Sequence, residues 1–301
     1  MSIIFEKLKY KILLNFFRKK KKLLWILVNN LMSNLINSPK ISVLSLSDNT
    51  TIGNKGEKIF VTNDSYQTWY IMNDKNFHKK FIQEISKLID LNLKYNFVDI
   101  GANTGLLTKS ILKNLNNIEN CFLVEPSKDN IFCIENNLKN FKNVYISDFA
   151  LDKNDGKKKL FIDKNNKGNL SFNYEMMTLK ENKLNFMNSK EDFEIINCKN
   201  THNYFNEISN NLKNIIKIDV QGYDENIFQE IPEEVLKNTD ILIIEITPLK
   251  SKIFDKEKFN LKLKCFKRYI NFDGDSINIE QINKMTEKKS GKSSDLIFLN
   301  K

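Results

Sequence analysis

Phe97-Val-Asp-Ile-Gly-Ala-Asn-Thr-Gly105 is the stretch on which the fold turns. The apolar run through residue 100 has the length and composition of a buried strand, the two glycines mark a tight turn, and a helix opens at Thr104. Where such a strand ends, the turn and the helix N-terminus present backbone N–H groups at the carboxyl edge of a sheet. Gly101 and Gly105 let the backbone approach a ligand there with no Cβ in the way. The G-x-x-x-G spacing departs from the G-x-G-x-x-G of dinucleotide sites, which argues against a nicotinamide dehydrogenase.

The next apolar run ends Phe122-Leu-Val-Glu125-Pro-Ser, setting a carboxylate about 20 residues past the glycine turn, where an acid can accept both hydroxyls of a ribose. An acid ahead of a helix also serves as a partner for the helix dipole. Combined with the glycine turn, Glu125 reads as part of a nucleoside site.

Strand and helix patterns alternate outward from this pair. Strands are expected near 96–100, 121–124, 143–147, 215–220 and 241–246, and helices near 77–90, 104–115, 127–140, 223–230 and 233–238. That alternation specifies an α/β fold with a mostly parallel sheet covered on both faces. Closing strands fall near Phe266–Phe272 and Asp295–Asn300, and 41–75 forms a β-rich lead-in around Lys58–Val61. The polar stretch 152–205 reads as a hairpin at Lys158–Ile162 and a substrate-side lid, in which Gly168-Asn-Leu-Ser-Phe172 forms either a plain turn or part of an acceptor pocket.

Charge is concentrated at one end of the 301 residues. The net charge is +10, yet residues 1–40 alone carry +8, from nine Lys or Arg against Glu6. A nearly neutral body, in a chain whose only arginines are Arg18 and Arg268, is a poor surface for tracking phosphates. The segment 1–40 alternates apolar and basic stretches and reads as an amphipathic helical extension. Its run Leu23–Ile36 is too short and too polar to span a bilayer, which takes about 20 apolar residues, and no signal-peptide cleavage site follows. Two roles fit residues 1–36: packing on the protein's own domain or a second subunit, or peripheral contact with an anionic membrane face through Lys19–Lys22 beside Trp25. Cys121, Cys133, Cys198 and Cys265 lie far apart with no metal-ligand spacing, so they are expected to be reduced thiols of a cytoplasmic protein, and no metal site is expected.

The ordered series VDIGANTG, VEPS, IIKIDVQGYDENIF, ILIIEITP and SDLIFLNK resembles the FkbM family of S-adenosylmethionine-dependent methyltransferases, over about Phe77 to Lys301. The resemblance implies a Rossmann-like class I methyltransferase sheet of seven strands with antiparallel last strands, here the domain 76–301, and transfer of a methyl group to a hydroxyl of a sugar, glycan precursor or related metabolite. By position it carries the methionine half of S-adenosylmethionine to Asp99, Gly101, Ala102, Asn103 and Gly105, the ribose to Glu125, and the adenine to the segment Asp148-Phe-Ala150.

The element Lys217-Ile-Asp219-Val-Gln-Gly222-Tyr-Asp224 ends its strand at the same sheet edge. Methyl transfer needs the acceptor oxygen held in line with the methyl carbon, and a hydroxyl gains from losing its proton as it attacks. Asp219 is the candidate that orients or deprotonates it; the competing role is capping the next helix. Gln221 stands where the family has Glu, so no base or metal-ligand role is carried to that position. Glu245 is a second acid at the edge, for acceptor contact or structure. His202 and His78 read as surface residues near helix starts, though a histidine can also act as a base. Two other classes compete: an RNA methyltransferase, weakened by the neutral body and the absence of an N-P-P-Y tetrapeptide, and a catalytically degenerate cofactor-binding module, suggested by Gln221. Oligomeric state is left open.

Overall fold

A computed structural model describes residues 41–62, 71, 74, 76, 78–162, 170–175, 193–208, 211–249, 253–288 and 292–300. The expectations for residues 1–40, and for 163–169 and 176–192 of the stretch read as a hairpin and lid, fall outside the described residues.

The central strand β3 (Tyr95–Ile100) is buried at every position, as a strand covered on both faces must be. It pairs in parallel with β10 (Lys213–Ile218) on one side and β4 (Ile118–Val124) on the other. Beyond these lie β11 (Thr239–Ile246), parallel to β10, and β5 (Val144–Ser147), parallel to β4. β14 (Ser294–Leu299) returns antiparallel to β11, followed by β12 (Arg268–Asn271) and β13 (Ser276–Ile277). The sheet order is β13-β12-β14-β11-β10-β3-β4-β5, so the chain winds away from β3 in both directions. A crevice opens at such a reversal, beyond the carboxyl ends of the strands. Eight strands stand where seven were expected, because β13 adds a short edge.

Alternate residues of the strands feed two cores. Phe97, Cys121, Leu123, Ile215 and Ile243 face one layer with Ile82, Ile85, Ile111 and Ile134, from helices α1 (Lys79–Leu88), α2 (Leu106–Asn114) and α3 (Lys128–Leu138). Val98, Ile100, Ile216, Ile218 and Ile244 face the other. There they meet α4 (Thr201–Glu207), α5 (Asp224–Phe228), α6 (Glu233–Lys237), α7 (Lys256–Leu263) and α8 (Ile279–Glu287). Phe228 centres this second core, edge to face with Phe259 at 5.2 Å and Phe298 at 5.8 Å, a geometry that adds to burial.

The lead-in is an antiparallel pair, β1 (Ile41–Ser45) and β2 (Lys58–Thr62). It sits on α2 and α3: Asn137 clasps the backbone of Phe60 from both sides, and Glu57 pairs with the buried Lys109 at 2.5 Å. Between β5 and α4 the expected hairpin is part of a second sheet, in the order β6-β9-β7-β8. Its strands are β6 (Ala150–Asp152), β7 (Gly156–Ile162), β8 (Leu170–Ser171) and β9 (Phe193–Asn200). Among the described residues, Ala150, Leu160, Ile196 and Cys198 form its buried core. Among the described residues, no helix is long and apolar enough to cross a membrane.

Candidate functional site

The cleft at the reversal point encloses about 220 Å³ and opens to solvent at its mouth. Its floor is the turn after β3. Gly101 has φ +80°, and a Cβ on it would lie 2.0 Å from the carbonyl oxygen of Asp219. The glycine is therefore demanded by the end of β10 crossing beside it, and the absence of that side chain also keeps the cleft open. The turn is pinned on both sides: the N–H groups of Gly101 and Ala102 donate to the Val124 carbonyl, and that of Asp219 donates to the Ile100 carbonyl. Asn103 follows with φ +51°, a conformation asparagine tolerates better than most residues.

Glu125 closes this wall. One carboxylate oxygen accepts from the Asn103 N–H at 2.9 Å, and the other from the Ser127 N–H and the Asn130 side-chain amide. Burial pushes the carboxyl up to about 7, against the pull of these hydrogen bonds. A carboxylate has about four acceptor positions; three are filled here, which leaves one toward a ligand. Two further atoms are orphaned. The Oδ1 atoms of Asn103 and Asn130 are buried with no partner, and both residues line the cleft. Buried acceptors without donors are costly, and the hydroxyls and amines of a nucleoside that also carries an amino acid are the donors such a wall lacks. The residues present fit S-adenosylmethionine.

Asp219 lines the cleft opposite this wall, its side chain 38% exposed. Its carboxylate is steadied by the Gln221 amide at 2.8 Å and the Lys217 ammonium at 3.4 Å. It does not cap the next helix. The N-cap of that helix, Tyr223, makes no side-chain capping bond, and Asp224 at the helix start accepts instead from the N–H groups of Val220 and Gly222 in the preceding turn, each at 2.9 Å. Gln221 takes φ +56° in this turn and faces the cleft.

Four expected positions lie elsewhere. Asp99 is fully buried beneath the cleft, accepting from the Thr108 hydroxyl at 2.7 Å and paired with Lys217 at 3.2 Å; the side chain that reaches the cleft from this pair is Lys217. Burial alone would lower the Lys217 ammonium's pKa, but Asp99 and Asp219 hold it above the ordinary lysine range. Gly105, at φ +73°, makes room for helix α3 and not for a ligand: a Cβ there would meet Ile134 at 3.2 Å. Asp148 is exposed past the end of β5, and the cleft is lined there by Ala150 and Leu151 instead. Glu245 lies behind the cleft wall, accepting from Thr247 at 3.0 Å; burial, Asp219 and Asp295 push its carboxyl up to about 8.

Some cleft residues were not foreseen. His78 lines the cleft with its Nδ1 3.1 Å from Ser110 Oγ, and burial with the nearby Lys217 charge pushes the imidazole down to about 3. The ring is neutral in the physiological range. His202, by contrast, is exposed on α4, as expected. The second sheet contributes Leu160, Leu170 and Phe172 to the opposite wall, with Tyr223 beside them. Of the stretch Gly168–Phe172, Leu170 and Phe172 thus face the cleft, Ser171 ties the strand to the Gln221 carbonyl at 2.6 Å, and Gly168 and Asn169 lie outside the described residues. Among the described residues, no group of three His, Cys, Asp or Glu could hold a metal ion.

Residues 99–273 match the model of the methyltransferase FkbM domain. No curated protein matches the chain. Among solved structures, an FkbM methyltransferase from Methylobacillus flagellatus is 14% identical with a TM-score of 0.40, over 78% of this chain and 55% of that one; the chain thus spans about half of that relative's length. A S-adenosylmethionine-dependent methyltransferase from Clostridium acetobutylicum is 12% identical with a TM-score of 0.37, over 78% of this chain and 98% of that one. The N-methyltransferase NodS from Bradyrhizobium japonicum is 9% identical with a TM-score of 0.36, over 75% and 96%. The family match covers more than half of the sequence and begins at the acid of the glycine turn, and on it this chain belongs to the FkbM family of S-adenosylmethionine-dependent methyltransferases.

Proposed function

We propose that the protein methylates a hydroxyl oxygen, on a sugar, glycan precursor or related metabolite, and that Asp219 is the residue that handles the acceptor. The observation behind this reading is the partly exposed Asp219 carboxylate, set between the wall with orphaned acceptors and the apolar wall of the second sheet. Bound in the cleft, S-adenosylmethionine supplies an electrophilic methyl group. Asn103, Glu125 and Asn130 hold its polar groups, and Ala150 and Leu151 flank them. Asp219, fixed by Gln221 and Lys217, accepts a hydrogen bond from the acceptor hydroxyl and takes its proton as the oxygen attacks; the proton then leaves to water. Leu160, Leu170, Phe172 and Tyr223 exclude water from the acceptor side, which protects the attacking oxygen from competition.

The experiment is the rate of methyl transfer to hydroxylated saccharides by Asp219→Asn. General-base catalysis contributes about 10²–10⁴-fold, so the variant should lose about that factor in kcat while its affinity for S-adenosylhomocysteine stays close to that of the parent. An unchanged kcat overturns the role of Asp219, and product carrying the methyl group on nitrogen alone overturns the hydroxyl reading.

A further inference from the structure

A second groove adjoins the cleft and shares the wall formed by Phe172 and Tyr223. That wall is rigid. The two rings meet edge to face at 5.1 Å, the Tyr223 hydroxyl donates to Asp152 at 2.6 Å, and Lys158 pairs with the same carboxylate at 2.5 Å. Farther along, Phe161 packs edge to face on Tyr174 at 5.2 Å and on Phe193 at 6.4 Å. Tyr174 and Phe193 remain 38% and 40% exposed, so a run of aromatic surface leads away from the cleft. Asn173 and Asn226 add amides that can both donate and accept. Among the described residues, two lysines and no carboxylate line the groove. Lys158 is neutralised by Asp152, whereas Lys159 holds its ammonium 4.2 Å from the Phe193 ring centre with no carboxylate partner among the described residues.

Aromatic faces suit the C–H faces of sugar rings, amides suit their hydroxyls, and a lysine clear of acids suits an anion. We infer that this groove seats the acceptor, and that the acceptor is a saccharide carrying a negative charge as a carboxylate or a phosphate. The inference rests on the reading of the cleft as a site of hydroxyl methylation, and it places the bulk of the acceptor beyond Tyr223, with its reacting hydroxyl reaching back to Asp219.

The test is calorimetric titration of the full chain, saturated with S-adenosylhomocysteine, with methyl glucuronide, glucose 1-phosphate and methyl glucoside. An exposed ion pair gives a modest gain, so an anionic probe should bind about threefold to fivefold more tightly than the neutral glucoside, and the gain should shrink at high salt. Lys159→Gln should erase the preference without changing S-adenosylhomocysteine affinity; Phe161→Ala should weaken all three saccharides. Preference for the glucuronide alone assigns a carboxylate, and preference for glucose 1-phosphate alone assigns a phosphate. Equal affinity for charged and neutral probes, a preference that survives in Lys159→Gln, or no saccharide binding by folded protein that takes up S-adenosylhomocysteine overturns the inference. The hydroxyl reading fails separately. Methyl transfer to hydroxyls at full rate in both variants removes the groove and keeps that reading, whereas transfer to nitrogen alone removes that reading and leaves the measured groove binding in place.

Discussion

Asn130 and Gly101 show how single residues shape the donor side of the cleft. Asn130 is 1% exposed, with its amide nitrogen on Glu125 and its Oδ1 unpaired. If that oxygen meets a donor on the cofactor, Asn130→Ala removes one hydrogen bond to the ligand and one support of Glu125. A hydrogen bond contributes about 1 kcal/mol net, so S-adenosylhomocysteine should bind about fivefold more weakly, as read by titration calorimetry. Unchanged affinity would show that Asn130 only braces the turn. Gly101 sets a stricter limit, because a Cβ there meets backbone, the Asp219 carbonyl at 2.0 Å, at φ +80°. Gly101→Ala therefore cannot be relieved by a side-chain rotation. It should cost more than about 2 kcal/mol of stability, seen as a lowered urea midpoint; a midpoint within error of the parent would mean that β10 can move aside.

The elements are tied together at the same place. Asp99 of β3 and Lys217 of β10 are register partners, and their buried pair joins the two strands between which the sheet order reverses. Removing one member strands the other's charge, at a cost of about 3–5 kcal/mol for a buried pair. Lys217→Met should show that loss in urea denaturation. Adding Asp99→Asn should restore most of it, since no fully buried charge is then left unpaired and Asp219, the other partner of Lys217, is 38% exposed to water; a double variant as unstable as the single one contradicts this account. The parallel strands around this pair were legible in the sequence because they are continuous apolar runs, and the turn was legible from its two glycines, Gly101 and Gly105, both of which take positive φ. The second sheet was not. Among the described residues, four of its side chains pack as a buried core, and β9 leaves Phe193 and Ile195 exposed, so neither alternation nor a clean apolar run marks it. Helix α8 did carry a signal that the composition obscured, the capping box of Asn278 and Gln281. The role of His78 was hidden for another reason: it lines the cleft through the packing of α1 against α2, a contact that local pattern does not encode.

At the scale of the molecule, the acids gathered behind the carboxyl edge of the sheet set how stability responds to pH. Glu125 is pushed up to about 7, Glu245 to about 8 and Asp295 to about 6, mainly by burial; Asp224 is raised as well by burial and by Glu245, Glu225 and Asp219. An acid with a raised pKa in the folded state binds its proton more tightly there than in the unfolded chain, so its contribution is complete at low pH and is lost as pH rises through the raised value. His78 acts in the opposite direction. Its pKa is lowered to about 3 from 6.5, so it favours the fold above 6.5 and loses that effect as pH falls. From pH 6.5 to 8 the histidine has little further influence, while Glu125 and Glu245 are still being forced to ionise in place. Stability should therefore fall across that interval, and one buried carboxyl in this range accounts for about 1 kcal/mol. Urea denaturation at the two pH values should give a lower midpoint at pH 8, and Glu245→Gln should flatten the difference, because an amide keeps the Thr247 hydrogen bond and has no proton to lose. Equal midpoints in the parent protein would mean that water reaches Glu125 and Glu245 more freely than their burial allows, and a slope unchanged by Glu245→Gln would assign the effect to Glu125 and Asp224.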